Sequence, residues 1–345
     1  MSLRGRKYLL VLLVAALTTW LLLILILSRS IDLSETFRAL LTVDPLMYLS
    51  AVAVYILGTL CIATRWKVSL STSGSRVGVL RTWQVVFGSI FITNITPMTY
   101  IAGDPIVRSY LMKKREGVPV SRGIASMVSE YVLELPVSSS FLMCGLLLAL
   151  FELVNWRFAV MVAWTVSVLL LILTIIRFFP RRIGEKTFSK IACSVCSKLF
   201  HRDRERTRRD IQRFYDAGQR IITNRWAALK IFLLSLAFWF INLARLYLVF
   251  RSMDYRPSLI TLLLGLTLPT VAGLVPLLPG GLGLFEGTCF SVFVLTGVPP
   301  TKAGLVTILD RLITFGLGSI IGAVALSYMG IRIARDKRLI SRDKK

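Results

Sequence analysis

The chain contains 345 residues, 55% of them hydrophobic, and its mean hydropathy of +0.71 excludes an ordinary soluble domain. Its net charge of +24, from 42 basic and 18 acidic residues, could suggest a nucleic-acid partner. The basic residues instead flank apolar segments. We therefore expect membrane lipids as partners, with anionic headgroups at the cytoplasmic face, and no nucleic acid.

The first half of the chain begins with two uncharged runs, each long enough to cross a hydrocarbon core of about 30 Å. We interpret the first, Tyr8–Leu27, as a retained anchor rather than a signal peptide, because it is long and lacks an obvious small-residue cleavage site. The second is Pro45–Thr64, and a third uncharged run lies at Thr82–Gly103. If the third run crossed fully, Lys113 and its basic neighbours would face outward, so we predict a re-entrant hairpin entered from the cytoplasm. A full span over Ser121–Phe151 completes the half.

The second half begins with a span over Phe158–Ile176 that returns to a strongly basic loop. This loop, residues 178–225, holds thirteen Lys or Arg and five acidic residues, which predicts that it is cytoplasmic. Within it, an apolar face from Phe188 to Leu199 predicts a helix lying in the membrane interface. The remaining elements are an outward span, a hairpin entered from outside and a returning final span, at Trp226–Phe250, Pro257–Gly297 and the residues before a basic tail, 336–345.

Together these segments predict an all-α polytopic membrane protein of the cell membrane. Six full transmembrane helices plus two re-entrant helical hairpins account for its eight hydrophobic segments. We expect one transmembrane domain over residues 1–335, with both termini in the cytoplasm. Its half-repeats, residues 1–151 and 152–330, each run span, span, hairpin, span, with opposite orientation. Such an inverted repeat is the arrangement of many secondary transporters.

Sequence letters independently favour a duplication. Gly117-Val118-Pro119 recurs as Gly297-Val298-Pro299, 180 residues later. At the same separation Gly103 matches Gly283, Arg65 matches Arg245, and Glu130 matches Asp310. Gly-Val-Pro alone is a common turn. The constant separation over several elements is what indicates a repeat.

Two breaks interrupt the apolar segments. The first runs from Pro97 to Pro105 and the second from Pro276 to Gly287, and neither can continue a helix. Hydrocarbon tolerates open backbone only where protein or a watery cavity covers it, so paired breaks indicate a substrate site. The glycines Gly280, Gly281 and Gly283 permit positive φ and the close approach of a ligand, and a helix that starts after them offers free N–H groups to a phosphate. The alternative is that these small residues only let the hairpin helices pack tightly.

Charged residues inside the membrane are functional candidates, because burying a charge is costly unless it is paired or hydrated. Glu130 and Glu134 share one helical face, and in a low dielectric they would not both stay ionised without a cation. They are candidates for a proton relay or, equally, for an ion pair with Arg108 or Arg122.

The remaining intramembrane charges lie in the second half, with one exception. Asp310 and Arg311 are adjacent, so their side chains diverge and each needs another partner. Glu286, at the second break, has no evident partner. Arg65 and Arg245 lie near span ends, where the chain can extend to the interface; this interpretation is favoured for Arg65, whereas Arg245 is equally a candidate for the relay or ion pair.

Enzyme chemistry finds less support. The sequence contains no Walker loop, no Gly-x-Ser-x-Gly elbow and no metal cluster, so we expect no cofactor, no metal and no catalytic residues. Cys193 and Cys196 have zinc spacing, but zinc needs two more ligands and His201 is the single histidine. Cys61, Cys144 and Cys289 lie in apolar segments as small hydrophobes, which completes the five cysteines.

Three motifs resemble those of the lysylphosphatidylglycerol synthase transmembrane-region family, a flippase-like membrane domain. They are Arg65-Trp66, Pro97…Gly103-Asp104…Arg108 and Pro279-Gly280-Gly281-Leu282-Gly283…Glu286-Gly287, and the resemblance covers roughly Arg4 to Arg335. It implies movement of lipid-linked headgroups between leaflets, with a substrate site that includes Asp104, Arg108, Gly280, Gly281, Gly283 and Glu286.

This chain departs from that family in two respects. No soluble aminoacyl-transferase domain is evident, so we expect that it does not make lysyl lipid itself. The first break carries the bulky residues Pro97, Met98 and Tyr100, which puts the usual substrate in doubt. We therefore expect a transporter of an anionic or zwitterionic lipid or lipid-linked phosphate. The alternatives are a lipid-modifying or glycosyl-transferring membrane enzyme and a non-transporting partner of an envelope or glycolipid enzyme; a homo-oligomer is compatible with each.

Overall fold

The computed structural model describes residues 43–96, 104–151, 204–273 and 279–342, and within these ranges the chain is helical, with no strand. Three predicted elements lie outside the described residues: the spans Tyr8–Leu27 and Phe158–Ile176, and the interfacial helix of residues 188–199. Both breaks are described only in part, since residues 97–103 and 274–278 also fall outside.

The first half contributes four helices. They are α1 (Pro45–Thr72), α2 (Val79–Ile95), α3 (Asp104–Glu116) and α4 (Val120–Phe151). α1 starts at a proline, and the Asp44 carboxylate before it accepts hydrogen bonds from the backbone N–H groups of Leu46 and Met47. This is a typical helix start, because the first N–H groups of a helix have no partner within it.

The basic loop contains a helix that the sequence did not predict. α5 (Arg204–Thr223) packs against α4, and its apolar residues Ala217 and Ile221 are buried. Its surface carries the exposed cations Arg213 and Arg220. The described part of the loop is therefore an amphipathic helix that rests on the helical bundle.

The second half contributes the remaining helices. They are α6 (Arg225–Arg251), α7 (Leu259–Ala272), a 3-10 turn (Pro279–Gly281), α8 (Leu284–Leu295), α9 (Pro300–Arg311) and α10 (Gly318–Arg342). A π-helical segment, Leu312–Leu317, joins α9 to α10, so that the two form one long interrupted helix.

Four helices are long and apolar enough to cross a membrane, and they match four of the six predicted spans. Their bounds are Pro45–Thr72, Val120–Leu150, Arg225–Arg251 and Pro300–Gly330. The apolar helices α2, α7 and α8 are shorter, with 17, 14 and 12 residues. Large apolar side chains such as Leu46, Phe240 and Ile320 are exposed on the outside of the long helices, as contact with lipid requires.

Equivalent helices of the two halves begin 180 residues apart. The pairs start at residues 45 and 225, 79 and 259, 104 and 284, and 120 and 300. The caps repeat too, because Asn224 accepts from two N–H groups of α6 as Asp44 does in α1. Positive φ recurs at Gly74 and Asp254, with 92° and 46°, and at Gly117 and Gly297, with 71° and 87°.

The packing of the helices also repeats. α1 and α6, which are equivalent, form the most extensive contact and lie at the centre of the bundle. α2 packs against α10 of the second half, while its equivalent α7 packs against α4 of the first half. Each short apolar helix thus lies against a long helix of the other half, which brings the two breaks into the same region.

Candidate functional site

The two breaks lie against each other. α2 ends at Ile95, just before the first break, and packs against the 3-10 turn of the second. A Cβ placed on Gly280 would lie 3.3 Å from the backbone carbonyl oxygen of Asn94. The side-chain amide of Asn94 donates to the hydroxyl of Ser319 at 2.9 Å. The end of α2, the 3-10 turn and the start of α10 therefore form one contact region.

Three glycines shape the second break. Gly280, Gly281 and Gly283 have φ angles of 62°, 68° and 85°, which residues with a Cβ rarely adopt. α8 begins directly afterwards, and the Oε2 atom of Glu286 accepts the backbone N–H of Gly283 at 2.7 Å. A carboxylate is stabilised here, because the free N–H groups and the macrodipole give a helix N-terminus a partial positive charge.

Arg311 holds the second break together. Its Nε pairs with Oε1 of Glu286, and its Nη2 donates to the carbonyl oxygen of Gly280 at 3.1 Å. The guanidinium carbon lies 4.2 Å from the ring centroid of Phe285 and 5.5 Å from that of Phe315, within cation–π range. The prediction that Glu286 has no partner was wrong. Its partner is 25 residues away in the chain and reaches it only because α9 packs on α8.

Asp104 is the corresponding acid at the first break. It is the first residue of α3, and its Oδ1 accepts from Nε of Arg108 at 2.8 Å. Its Oδ2 accepts from the Tyr131 hydroxyl of α4 at 3.1 Å. Arg108 is also buried, and its Nε lies 3.0 Å from the Ser89 hydroxyl of α2. Arg108 therefore links α2 to α3, whereas Gly103 lies outside the described residues.

The two acids are held in equivalent ways. Asp104 and Glu286 both lie in the first turn of the second short helix of their half. Tyr131 and Arg311, which contact them, are 180 residues apart and therefore occupy equivalent positions of the repeat. The first half thus uses a phenol where the second uses a guanidinium.

Glu130 and Glu134 share one arginine on α1. Nε of Arg65 lies 3.2 Å from Oε2 of Glu130, and its Nη1 lies 2.7 Å from Oε2 of Glu134. The prediction that Arg108 or Arg122 pairs with these acids was wrong, since Arg108 contacts Asp104 and Arg122 contacts Ser75. The favoured interpretation of Arg65 as a residue that extends to the interface was also wrong: α1 continues to Thr72, and Arg65 is buried inside it.

The second half contains the equivalent ion pair. Arg245 of α6 pairs through Nη1 with Oδ1 of Asp310 in α9, and both side chains are buried. Arg65 and Glu130 are 65 residues apart in the chain, as are Arg245 and Asp310. The prediction that Asp310 and Arg311 diverge to separate partners is confirmed, because these partners are Arg245 and Glu286.

The sequence analysis missed several residues of this region, namely Ser89, Asn94, Tyr131 and Phe315. Each is a polar or aromatic residue inside an apolar helix, and none carries a charge that marks it in a hydropathy profile. The separation of 180 residues from Arg311 could have identified Tyr131. The described residues contain no group of three or more His, Cys, Asp or Glu that could hold a metal ion.

Comparison with known proteins decides the family. The model of the lysylphosphatidylglycerol synthase transmembrane region matches residues 8–322. The chain belongs to this family. It is therefore a multi-pass integral membrane protein, as its four long apolar helices also indicate.

Named relatives of this family member are archaeal. A UPF0104 membrane protein of Methanothermobacter thermautotrophicus is 30% identical, over 77% of this chain and 78% of that protein. A UPF0104 membrane protein of Pyrococcus horikoshii is 23% identical, over 97% of this chain and 98% of that protein. The glycosyltransferase AglD of Haloferax volcanii is 24% identical, over 90% of this chain but only 53% of that protein.

Proposed function

We propose that this protein is a flippase-like transporter that moves an anionic or zwitterionic lipid, or a lipid-linked phosphate headgroup, between membrane leaflets. The observation that carries the proposal is the meeting of two helix breaks, each with a buried acid and a buried arginine beside it. In transporters built from inverted repeats, substrates bind where interrupted helices of the two halves meet near the bilayer midplane. The family supports the same assignment.

The phosphate of the headgroup binds to Arg108 in this proposal. The hydrogen bonds that Arg108 makes to the described residues use Nε, at Ser89 and Asp104. Its two terminal nitrogens are then the atoms that hold phosphate oxygens, in a bidentate geometry that lysine cannot copy. The backbone N–H groups of Gly280, Gly281 and Gly283 are the further donors at the second break.

Glu286 binds a cationic group of the headgroup or a coupling proton. Arg311 neutralises it in this structure, so either ligand exchanges with an ion pair that is already present. That exchange frees Arg311, whose guanidinium is then available to the phosphate. The breaks thus offer charges of both signs, as a zwitterionic headgroup requires.

A test of this function is leaflet exchange in liposomes that contain the purified protein and one labelled lipid from a panel. The panel includes anionic and zwitterionic phospholipids and a polyprenyl phosphate. We expect faster exchange for at least one phosphate-containing lipid than in protein-free liposomes. Arg108→Lys and Glu286→Gln should each lower that rate at least tenfold while expression and monodispersity stay near wild type. Lysine retains the charge of Arg108 but loses the bidentate geometry.

Arg122→Lys is the matched control. Arg122 contacts Gly74 and Ser75 in the loop between α1 and α2, away from both breaks, so its replacement should leave exchange unchanged. Equal losses in all three variants would contradict the proposed site. Absence of exchange for the whole panel, with chemical turnover of a headgroup in detergent, would favour a lipid-modifying or glycosyl-transferring enzyme instead.

A further inference from the structure

The cluster around Arg65 contains one cation between two acids. The side chains of Arg65, Glu130 and Glu134 are 5%, 2% and 17% exposed, so the cluster is buried, with Glu134 as its most accessible member. Arg65 Nη1 also donates to the Ser235 hydroxyl at 3.0 Å. Three helices, α1, α4 and α6, therefore meet at this arginine.

The groups around the cluster do not supply a second net positive charge. From α3, Arg108 acts electrostatically on Glu130, but its own ion pair with Asp104 balances it. From α1, α4 and α6 the neighbours Cys61, Tyr131 and Trp239 are uncharged. α5 presents Gly218 to Ser129 of α4, and α7 has no ionisable residue. With both glutamates ionised, the group would hold three acids and two cations.

The second half shows how the same site looks when its charge is balanced. Arg245 and Asp310 occupy the positions of Arg65 and Glu130. The position of Glu134 is taken by Thr314, whose hydroxyl donates to the backbone carbonyl of Asp310 at 2.9 Å. One arginine faces one acid there, and the pair is neutral without a proton. The extra carboxylate is a specific feature of the first half.

We propose that Glu130 and Glu134 bind one proton between them, which makes the first half a proton-binding site that the second half lacks. A buried excess charge is costly, and two carboxyl groups that share one cation lower this cost by keeping a proton. The proton belongs to the pair, because groups this close titrate together.

The geometry assigns the proton to Glu130. Its Oε1 is buried and makes no hydrogen bond within the described residues, and its only cationic contact is the longer of the two to Arg65. Glu134 contacts Arg65 at 2.7 Å and accepts from Nε1 of Trp239 at 3.2 Å, so it has two donors that stabilise its charge. Glu134 is also the more exposed acid, which makes it the entry point for the proton.

The proton site can be tested without any transport assay. We expect infrared difference spectra of the reconstituted protein, recorded between acidic and alkaline pH, to show the C=O stretch of a buried protonated carboxyl group. Glu134→Thr, which copies the second half, should remove this band because Glu130 then has Arg65 to itself. Glu130→Gln should remove it as well. A band that survives both substitutions, or a wild-type protein without the band, would overturn the proposal.

Two controls locate the effect. Glu116→Gln removes an acid that pairs with Arg81, whose side chain is 54% exposed, and should leave the band intact. Asp310→Asn tests the balanced site and should leave it intact too. Loss of the band in either control would overturn the assignment to Glu130 and Glu134.

Use of the proton for transport rests on the proposed function. In liposomes that exchange lipid, a pH gradient should change the rate for the wild type, and Glu134→Thr should abolish this dependence. If exchange is absent but the band is present, the transport function fails and the proton site stands. If exchange occurs and the band is absent, the proton site fails and the transport function stands.

Discussion

At the scale of single residues, three buried arginines connect the helices. Arg65 joins α1 to α4, Arg245 joins α6 to α9, and Arg311 joins α9 to α8. Each guanidinium contacts a carboxylate on another helix and is at most 4% exposed. A buried charge without its partner would destabilise the fold, so these pairs specify which helices can pack together.

The pair of Arg245 and Asp310 allows this role to be measured. Arg245→Leu leaves Asp310 buried without its partner and should lower the free energy of unfolding by about 3–5 kcal/mol. The double variant Arg245→Leu, Asp310→Leu should recover most of this loss, because two apolar residues leave no buried charge. Thermal unfolding in detergent measures both effects. Arg81→Leu is the control, since an exposed pair contributes about 0–1 kcal/mol. A double variant as unstable as the single one would contradict this account.

Gly280 provides a second test at this scale. Its φ is 62°, and a Cβ there would lie 2.6 Å from the Phe315 ring and 3.3 Å from the Asn94 carbonyl oxygen. Gly280→Ala should therefore destabilise the protein by more than the roughly 1–2 kcal/mol that a left-handed conformation costs. Gly287→Ala is the matched control, because nothing lies within 4 Å of its Cβ position and its φ is ordinary. It should keep or raise the thermal midpoint. Equal midpoints for the two variants would contradict this expectation.

The residue scale also shows what sequence reasoning can and cannot reach. The adjacency of Asp310 and Arg311 sufficed to predict separate partners, because successive side chains on a helix point in different directions. The partner of Glu286 was not predictable in this way, because Arg311 reaches it through tertiary packing of α8 and α9. Arg65 was misassigned because hydropathy locates the edge of an uncharged run. A neutralised arginine can lie well inside a helix.

At the scale of helices, the sequence predicted the four described spans to within a few residues, apart from the end of α1. Length and uncharged composition define such spans strongly. The interruption of α9 and α10 was not predicted. The π-helical segment Leu312–Leu317 is equivalent to residues 132–137 of α4, which contain Pro136. Proline removes a helix hydrogen bond and is visible in a sequence, whereas no single residue type marks a π-helical turn.

These two interruptions have a shared position and a shared neighbourhood. Pro136 follows the proton-binding pair of α4, and the π-helical segment follows Asp310 and Arg311. Both proline and π-helical turns are places where long helices bend, and π-helical turns are frequent at functional sites. Each long helix is therefore weakened just beyond the charges that tie it to the other helices. A change at those charges can reach the helix geometry there.

At the scale of the whole molecule, the repeat organises the fold. Helix starts, caps and positive φ angles recur at one separation, and each half places its short apolar helix against a long helix of the other half. The loop contacts recur as well: Arg122 donates to Ser75, and its equivalent Lys302 lies 5.5 Å from the ring centroid of Tyr255, the equivalent of Ser75. The duplication could be predicted from letters because glycines, prolines and charges had kept their spacing.

The orientation of the two halves is the last prediction. If the repeat is inverted, equivalent ends of the halves lie on opposite sides of the membrane. Lys113, at the end of α3, should then be cytoplasmic, and Lys302, at the start of α9, should be external. Lys113→Cys and Lys302→Cys, on a background without accessible thiols, can be labelled with an impermeant reagent in intact cells. We expect labelling at position 302 only, and labelling at position 113 after the cells are opened. If both positions label in intact cells, α2 and α3 do not form a hairpin entered from the cytoplasm, because the basic end of α3 would lie outside. The two breaks would then not be mirror-related entries to one site, and the proposed leaflet exchange would lose its structural basis.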